Sequence, residues 1–482
     1  MADNQRTTIV IEDAEGGKLR VRLNRAPSGR SGSSMLLSPF DLELDPEQAT
    51  EATAQAYGAA LHAKLCADRK LKAAMRDALR APVDDVRPLC FKIEGEPSLI
   101  DAWMWEVLWV RGKEFLALQP QWPIARLVDS GTTARVYHAP VRMLAVMSAL
   151  GVSARGDWEG IRRAVEAARR PRPGRGEGDK LPIHLTVIAA EPQLVKELND
   201  YRAAREAEGE SWLKVVSLDS QETVEEHLAG EPHIVHFFCH GRLEYGGGTL
   251  SLATRSDRAE DDPNLATASV TVDLARLGRL VNGRKPWLVT LNCCVGAASS
   301  GPIQSLAKET VDAGAGAALG WRTAIAPESA HVLCQSVYAA FFRELRDRLN
   351  GARPEDTVPI ELATLGSTLR AALHDKHRDL LTWALPVLYV AQEPLSVIVA
   401  AARPDDSDDL GRTEVSNADA KAITDTVTDQ VLREAMQANR ELAEAIRQLL
   451  GPDLRRGTGD EPGEGDGEGD GEGGGEGDGD GV

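Results

Sequence analysis

Residues 233–241 read HIVHFFCHG, and residues 288–296 read LVTLNCCVG. Each is a short, nearly continuous apolar run, which is typical of a strand covered on both faces. Each run also ends in side chains that carry chemistry, His240 in the first and Cys293 and Cys294 in the second. Because the crevice at the carboxyl ends of neighbouring strands is where open α/β sheets bind ligands, we expect the histidine and a cysteine to meet there.

Similar apolar runs recur on either side of these two, with helical patterns between several of them. The fold class is therefore predicted to be α/β, with a mostly parallel sheet flanked by helices. The predicted strands of this region, residues 183–402, are 183–189, 213–218, 234–239, 288–293, 315–321 and 385–390. The predicted helices are 191–205, 223–228 and 330–349.

An N-terminal α/β region, residues 1–168, is predicted to precede this sheet. Alternating runs at 8–12 and 18–23 indicate an opening β-hairpin, since they flank a Glu-Gly-Gly turn. Helical patterns follow at 46–66 and 68–79, then strands at 87–93 and 141–147. Residues 169–182 are rich in proline, glycine and charge, and we interpret them as a linker.

The C-terminal part of the chain is predicted to have three segments. An acidic spacer, 403–416, leads into an amphipathic helix, 417–451, and then into a Gly/Asp/Glu-rich tail, 452–482, which cannot form an apolar core and should be disordered. The apolar stripe of the helix is loose. It is compatible with docking on its own chain, with self-association or with binding a partner.

Composition limits the class of protein. The chain has 482 residues and a formal charge of -19, but about ten of the acidic residues lie from Asp460 onward. The arginines at 169–175 are interrupted by prolines and lack interleaved aromatic residues, so we expect no nucleic-acid partner. Without an apolar run long enough for a membrane span, we expect no membrane association. The six cysteines show no disulfide-like spacing, and the expected location is the cytoplasm.

The pairing of thiol and imidazole indicates nucleophilic catalysis. An imidazole lowers the pKa of a nearby thiol and can later protonate the leaving amine, so His240 is the predicted general base. Cys294 and Cys293 are rival nucleophiles, because strand alternation sends them to opposite faces. The amides of Gly241 and Cys294 are the predicted oxyanion hole.

Zinc binding is an alternative use of the same side chains, which are His236, Cys239, His240, Cys293 and Cys294. His236 and His240 are four residues apart on one predicted strand, which is about 13 Å. That distance is too great for ligands with metal bonds of about 2 Å. We therefore expect no metal here, and His236 to be a hydrogen-bonded core histidine.

The sequence resembles the CHAT family, a bacterial branch of the caspase-like cysteine peptidases. The Asn292-Cys293-Cys294 strand end and the His240-Gly241 strand end match its two catalytic motifs, although Asn292, Cys293 and Val295 depart from the caspase signature. Further motifs match along about residues 1–400: Trp105-Glu106, Phe115-Leu116-Ala117-Leu118, Ala313-Gly314-Ala315 with Trp321, and Trp383-Ala384 with Leu388-Tyr389.

The resemblance implies a caspase-haemoglobinase-like fold, a strand at residues 115–118, His240 as general base and Cys294 as nucleophile. It implies a cysteine endopeptidase that acts on protein substrates in bacterial defence or regulated cell death, with an activating protein partner and no cofactor. An inactive caspase-like scaffold is the alternative. Trp321 and Glu328 are candidate substrate-pocket residues, although a tryptophan at such a position is more typical of a core.

Overall fold

A computed structural model describes most of the first 400 residues. The described residues are 6–14, 18–25, 34–37, 44–45, 48–80, 85–94, 100, 103–131, 134–244, 247–259, 268–295, 302–323, 325–377 and 381–400. For Cys294 the backbone is described and the side chain is not. The predicted spacer, amphipathic helix and acidic tail, 403–482, lie outside the described residues. Residues Met1–Ala402 form one compact unit.

The strands are numbered in chain order, and α-helices connect many of them. Their bounds are β1 Thr7–Ala14, β2 Lys18–Arg25, β3 Ser34–Leu37, β4 Leu89–Glu94, β5 Trp109–Val110, β6 Glu114–Phe115, β7 Ile124–Val128, β8 Arg135–Tyr137, β9 Val141–Met147, β10 Ile183–Ala189, β11 Leu213–Ser217, β12 Ile234–Glu244, β13 Gly247–Leu252, β14 Val270–Asp273, β15 Leu288–Val295, β16 Ala317–Trp321, β17 Thr357–Ile360, β18 Pro386–Ala391 and β19 Leu395–Val399.

The α-helices of the described residues are α1 Glu51–Leu65, α2 Arg69–Ala78, α3 Arg155–Arg169, α4 Pro192–Ala207, α5 Gln221–Ala229, α6 Arg255–Ala259, α7 Leu274–Arg284, α8 Pro302–Asp312, α9 Pro327–Leu349 and α10 Thr364–Lys376. Short 3-10 turns add Trp105–Val107, Leu116–Leu118, Glu177–Asp179 and Leu381–Ala384.

One large sheet runs through the described unit, in the order β11-β10-β9-β12-β15-β16-β18-β7-β4-β1-β2-β3. The strands from β11 to β16 are parallel to one another, and so are β18, β7, β4 and β1. The two parallel blocks meet at the antiparallel pair β16 and β18. The carboxyl ends of β9, β10, β12, β15 and β16 therefore share one edge.

Helices cover both faces of the block that contains β12 and β15. Side chains of Ile234, Phe238 and Leu288 pack in the core cluster that also holds residues of α3 and α9. Val235 and Leu291, in the opposite alternation phase, pack in the cluster that holds residues of α5, α7 and α8. This two-sided burial is the reason that both strands are nearly continuous apolar runs.

The α/β class and the mostly parallel sheet flanked by helices are confirmed. Strand β9 has the predicted bounds, and the opening hairpin pairs antiparallel as expected. The prediction of a strand at 115–118 is wrong. Only Glu114–Phe115 is extended there, and Leu116–Leu118 forms a 3-10 turn that buries Leu116 and Ala117.

The sheet is continuous across the predicted linker 169–182, since β9 pairs with β10 on one side and β12 on the other. The domain boundaries stay predictions.

Candidate active site

Strands β12 and β15 carry the two predicted catalytic residues at their carboxyl ends. The strands pair in parallel from Ile234 opposite Leu288 onward, and this register places His240 directly opposite Cys294. Neighbouring strands lie about 4.8 Å apart, so the two backbones at this point are immediate neighbours. The structure thus brings the predicted general base and nucleophile to the same position of adjacent strands.

The imidazole of His240 is held by a backbone carbonyl. Its Nε2 donates to the carbonyl oxygen of Leu150 over 2.6 Å, in the turn that follows β9. A carbonyl can only accept, so Nε2 carries the proton, and the acceptor of a neutral ring is Nδ1. Since the ring itself is half-buried, this bond fixes both its orientation and its tautomer.

Cys293, the rival nucleophile, is in a different environment. It is fully buried, and its Sγ lies 3.4 Å from the Sγ of Cys239 on the paired position of β12. The contact with Cys239 and then burial raise the pKa of Cys293 well above its ordinary value. Because a protonated thiol is a weak nucleophile, this environment disfavours Cys293 as the nucleophile.

A buried carboxylate lies beneath the catalytic strands. Asp157, in the first turn of α3, accepts hydrogen bonds from Asn292 Nδ2 at 2.7 Å and from His331 Nδ1 at 2.7 Å, and it contacts His236 Nε2 at 3.0 Å. Burial alone would raise the pKa of Asp157, but the bonds to His236 and His331 outweigh burial and lower it. The two histidines thus favour the ionised form of this buried carboxyl group.

Asn292 connects this carboxylate to the strand that carries Cys294. Its amide nitrogen also donates to the carbonyl of Ala330 at 3.0 Å, and its amide oxygen accepts from Trp321 Nε1 at 2.9 Å. The side chain is fully buried and uses both its donor and its acceptor. The strand is therefore fixed two residues before Cys294.

The other predicted site residues differ in their exposure. Gly241 is buried and lies between two paired residues, Val295 of β15 and Leu250 of β13. Trp321 is fully buried, whereas Glu328 is exposed in the first turn of α9. The oxyanion and substrate-pocket roles stay predictions. His236 is a fully buried, hydrogen-bonded core histidine, as expected.

Two groups of the site were missed by sequence reasoning. Leu150 acts through its backbone carbonyl, which leaves no residue-type signal. Asp157 is 79 positions from His236 and 135 from Asn292, so their contact depends on how α3 folds back over the sheet. An acidic residue in the first turn of a helix is the usual choice for helix stability, which hid its second role.

The match to a family model is consistent with this geometry. The model of the CHAT domain matches residues 55–391, more than half of the chain, and its match includes strands β12 and β15. This chain belongs to the CHAT domain family. Within the matched CHAT domain lie His240, Cys294, Asp157 and Asn292.

Comparison with solved structures finds chains that are similar to this CHAT protein. Among solved structures it is similar to the crystal structure of the Saccharomyces cerevisiae separase-securin complex, at 10% identity and a TM-score of 0.31. The similarity covers 65% of this chain and 16% of that chain. No curated protein matches the sequence. Among the described residues, no helix is long and apolar enough to cross a bilayer.

Proposed function

We propose that this CHAT protein is a caspase-like cysteine endopeptidase with His240 as general base and Cys294 as nucleophile. The observation that carries the proposal is the register of β12 and β15, in which these two residues are directly paired. Family membership supports the same reaction class. The bond from His240 to Leu150 supports the role of the imidazole, because a general base must be held in one orientation.

The mechanism begins with proton transfer from the Cys294 thiol to Nδ1 of His240. The thiolate then attacks the scissile carbonyl, and the amides of Gly241 and Cys294 stabilise the oxyanion, each by an amount on the order of 3 kcal/mol. The imidazolium returns its proton to the leaving amine, which departs and leaves a thioester. Water, deprotonated by His240, hydrolyses the thioester and restores the thiol.

The biological setting is part of the proposal. We infer a cytoplasmic enzyme of bacterial defence or regulated cell death that cleaves proteins after an activating protein binds. The five described cysteines are free thiols, which suits a reducing compartment. The segment 417–451 is proposed to contact the partner or a second copy of the chain, and Trp321 and Glu328 are proposed to shape the substrate pocket.

The adjacent cysteines offer a matched test. Full-length wild type, Cys294→Ala and Cys293→Ala are incubated with a peptide library in the presence of the activating protein, and cleavage is followed by mass spectrometry. We expect Cys294→Ala to lose turnover by about 1000-fold or more, since the nucleophile is removed. Cys293→Ala removes a buried, protonated thiol, so its turnover should stay within about 3-fold of wild type.

The same experiment can contradict the proposal. Unchanged turnover in Cys294→Ala would exclude Cys294 as the nucleophile. An electrophilic peptide probe that reacts with cysteine peptidases, used on the wild type, checks the inactive-scaffold alternative. Failure of the probe to label Cys294, together with absence of turnover, would favour the scaffold.

A further inference from the structure

Three potential metal ligands converge beneath the catalytic strands, on elements far apart in sequence. They are Asp157 of α3, His236 of β12 and Cys334 of α9, and each is fully buried. One ligand atom from each lies within 4.8 Å of the other two. Together they offer a carboxylate oxygen, an imidazole nitrogen and a sulfur to one point.

The carboxylate of this cluster has no guanidinium or ammonium partner among the described residues. The groups within ion-pair distance of Asp157 there are two histidines, His236 and His331. By contrast, the buried carboxylate of Glu106 pairs with the guanidinium groups of Arg126 and Arg322. Since a buried carboxylate is stabilised by a positive partner, a cation bound by Asp157 would supply the kind of partner that Glu106 finds in its arginines.

We propose that Asp157, His236 and Cys334 bind a zinc ion. The reason for zinc is the ligand chemistry: thiolate, imidazole and carboxylate are the three types of ligand that Zn²⁺ takes in proteins. A zinc-bound Cys334 is a thiolate, whose proton passes to solvent when the ion binds, and His236 binds the ion through Nε2. One carboxylate and one thiolate then neutralise the two positive charges of the ion.

The distances suit a tetrahedral ion. His236 Nε2 lies 3.0 Å from Asp157 Oδ2 and 3.8 Å from Cys334 Sγ. Bonds of about 2.0 to 2.3 Å at tetrahedral angles place such ligand atoms about 3.3 to 3.6 Å apart, so these two distances lie within a few tenths of an ångström of that range. Three protein ligands leave one position for a water molecule.

Groups around the cluster already hold the ligands as an outer shell does in metal sites. His236 Nδ1 is hydrogen-bonded to Thr290 Oγ1 at 2.7 Å and to the Tyr338 hydroxyl at 2.9 Å. Asn292 and His331 donate to the two oxygens of Asp157. Such partners fix the ring tautomer and the carboxylate orientation of metal ligands.

The site is separate from the catalytic pair. His236 precedes His240 by four residues on one strand, which is about 13 Å. The ion would join α3 and α9 to the middle of the sheet, so we expect it to stabilise the fold whether or not the protein is a peptidase. The proposal therefore does not depend on the proposed function.

The test measures zinc in full-length protein purified without a metal-affinity step. Wild type is exposed to a small excess of Zn²⁺, dialysed and analysed by mass spectrometry of the metal. We expect about one zinc per chain, and a rise in Tm that a chelator reverses. With Co²⁺ in place of zinc, thiolate-to-cobalt charge-transfer absorption should appear, which reports the sulfur ligand even if no variant folds.

Variants locate the ion. Cys334→Ser should retain less than about a fifth of the wild-type zinc, because a serine hydroxyl replaces the thiolate ligand. Cys90→Ser is the matched control, since Cys90 is also a fully buried free thiol, and it should keep the ion. Cys294→Ala should keep it too. Wild type without retained zinc, an ion retained equally by Cys334→Ser and Cys90→Ser, or loss of zinc in Cys294→Ala would overturn the proposal.

Discussion

Asn292 shows how a single side chain can fix the strand that carries the proposed nucleophile, Cys294. Its amide nitrogen is shared between Asp157 and the carbonyl of Ala330, and its oxygen is the acceptor for the indole nitrogen of Trp321. All these groups are inside the protein, where water cannot replace a lost partner. Asn292 therefore couples the strand before Cys294 to the packing of α9.

Replacing Asn292 by alanine should be costly for this reason. Asn292→Ala leaves the buried indole N–H of Trp321 without its acceptor and removes one donor from Asp157. We expect the free energy of unfolding to fall by about 2 to 4 kcal/mol, measured by urea denaturation. Asn199→Ala is the control, because the Asn199 amide is half-buried and donates only within α4, to the carbonyl of Val195. Equal losses in the two variants would contradict this role.

The crossing of α3 and α9 is the contact between elements that places the buried carboxylate. Gly160 makes the close approach possible, since a Cβ there would lie 2.8 Å from Cβ of Cys334 and 3.0 Å from backbone atoms of α9. The helices would have to separate to admit a methyl group. Asp157 lies on α3 and Cys334 lies on α9, so the positions of both residues depend on how closely these two helices cross.

Gly160→Ala should therefore destabilise the fold, by about 1 to 3 kcal/mol, through overpacking. Gly278→Ala in α7 is a matched control, because a Cβ there meets nothing closer than 3.8 Å, at Ala313. Within a helix this second change should stabilise by about 0.5 to 1 kcal/mol. Thermal and urea denaturation of both variants measure the contrast, and a neutral or stabilising Gly160→Ala would show that the helices can move apart freely.

Strands that are buried on both faces could be predicted from the sequence, whereas a short buried turn and a cluster of long-range contacts could not. Strands β12 and β15 are buried on both faces, so their apolar runs identified them and placed His240 and Cys294 at their ends. Residues 115–118 are equally apolar, but they turn in a 3-10 helix, and hydrophobicity alone does not separate a short buried turn from a strand. The Asp157 cluster depends on contacts over 79 to 174 positions, which no local pattern encodes.

At the scale of the whole molecule, a buried ionic cluster joins the two parallel blocks of the sheet. Glu106, in the 3-10 turn Trp105–Val107, pairs with Arg126 of β7 in one block and with Arg322, which directly follows β16 in the other. Burial would raise the pKa of Glu106, but the charges of Arg126, Arg322 and Arg370 outweigh it and lower the pKa to about 2. Glu106 is the second residue of the Trp105-Glu106 motif, and its ion pairs with Arg126 and Arg322 give the glutamate of that motif a structural role.

The lowered pKa makes the stability of the molecule depend on pH in a definite direction. In the unfolded chain the carboxyl titrates near 4.5, so the contribution of ionised Glu106 is complete above that pH and is lost as the pH falls from 4.5 towards about 2. Glu106→Gln should lower the free energy of unfolding at pH 7 by about 3 to 5 kcal/mol, since it leaves buried guanidinium groups without their carboxylate. The variant should also lose less stability than wild type between pH 5 and about 3, because it has no carboxyl group at position 106 left to titrate there.

Glu197→Gln, which breaks an exposed pair with Arg155, is the control and should change the free energy of unfolding by less than about 1 kcal/mol. Urea unfolding followed from pH 7 to 3 measures all three proteins, and parallel pH profiles for wild type and Glu106→Gln would mean that the charge of Glu106 does not hold the two blocks together.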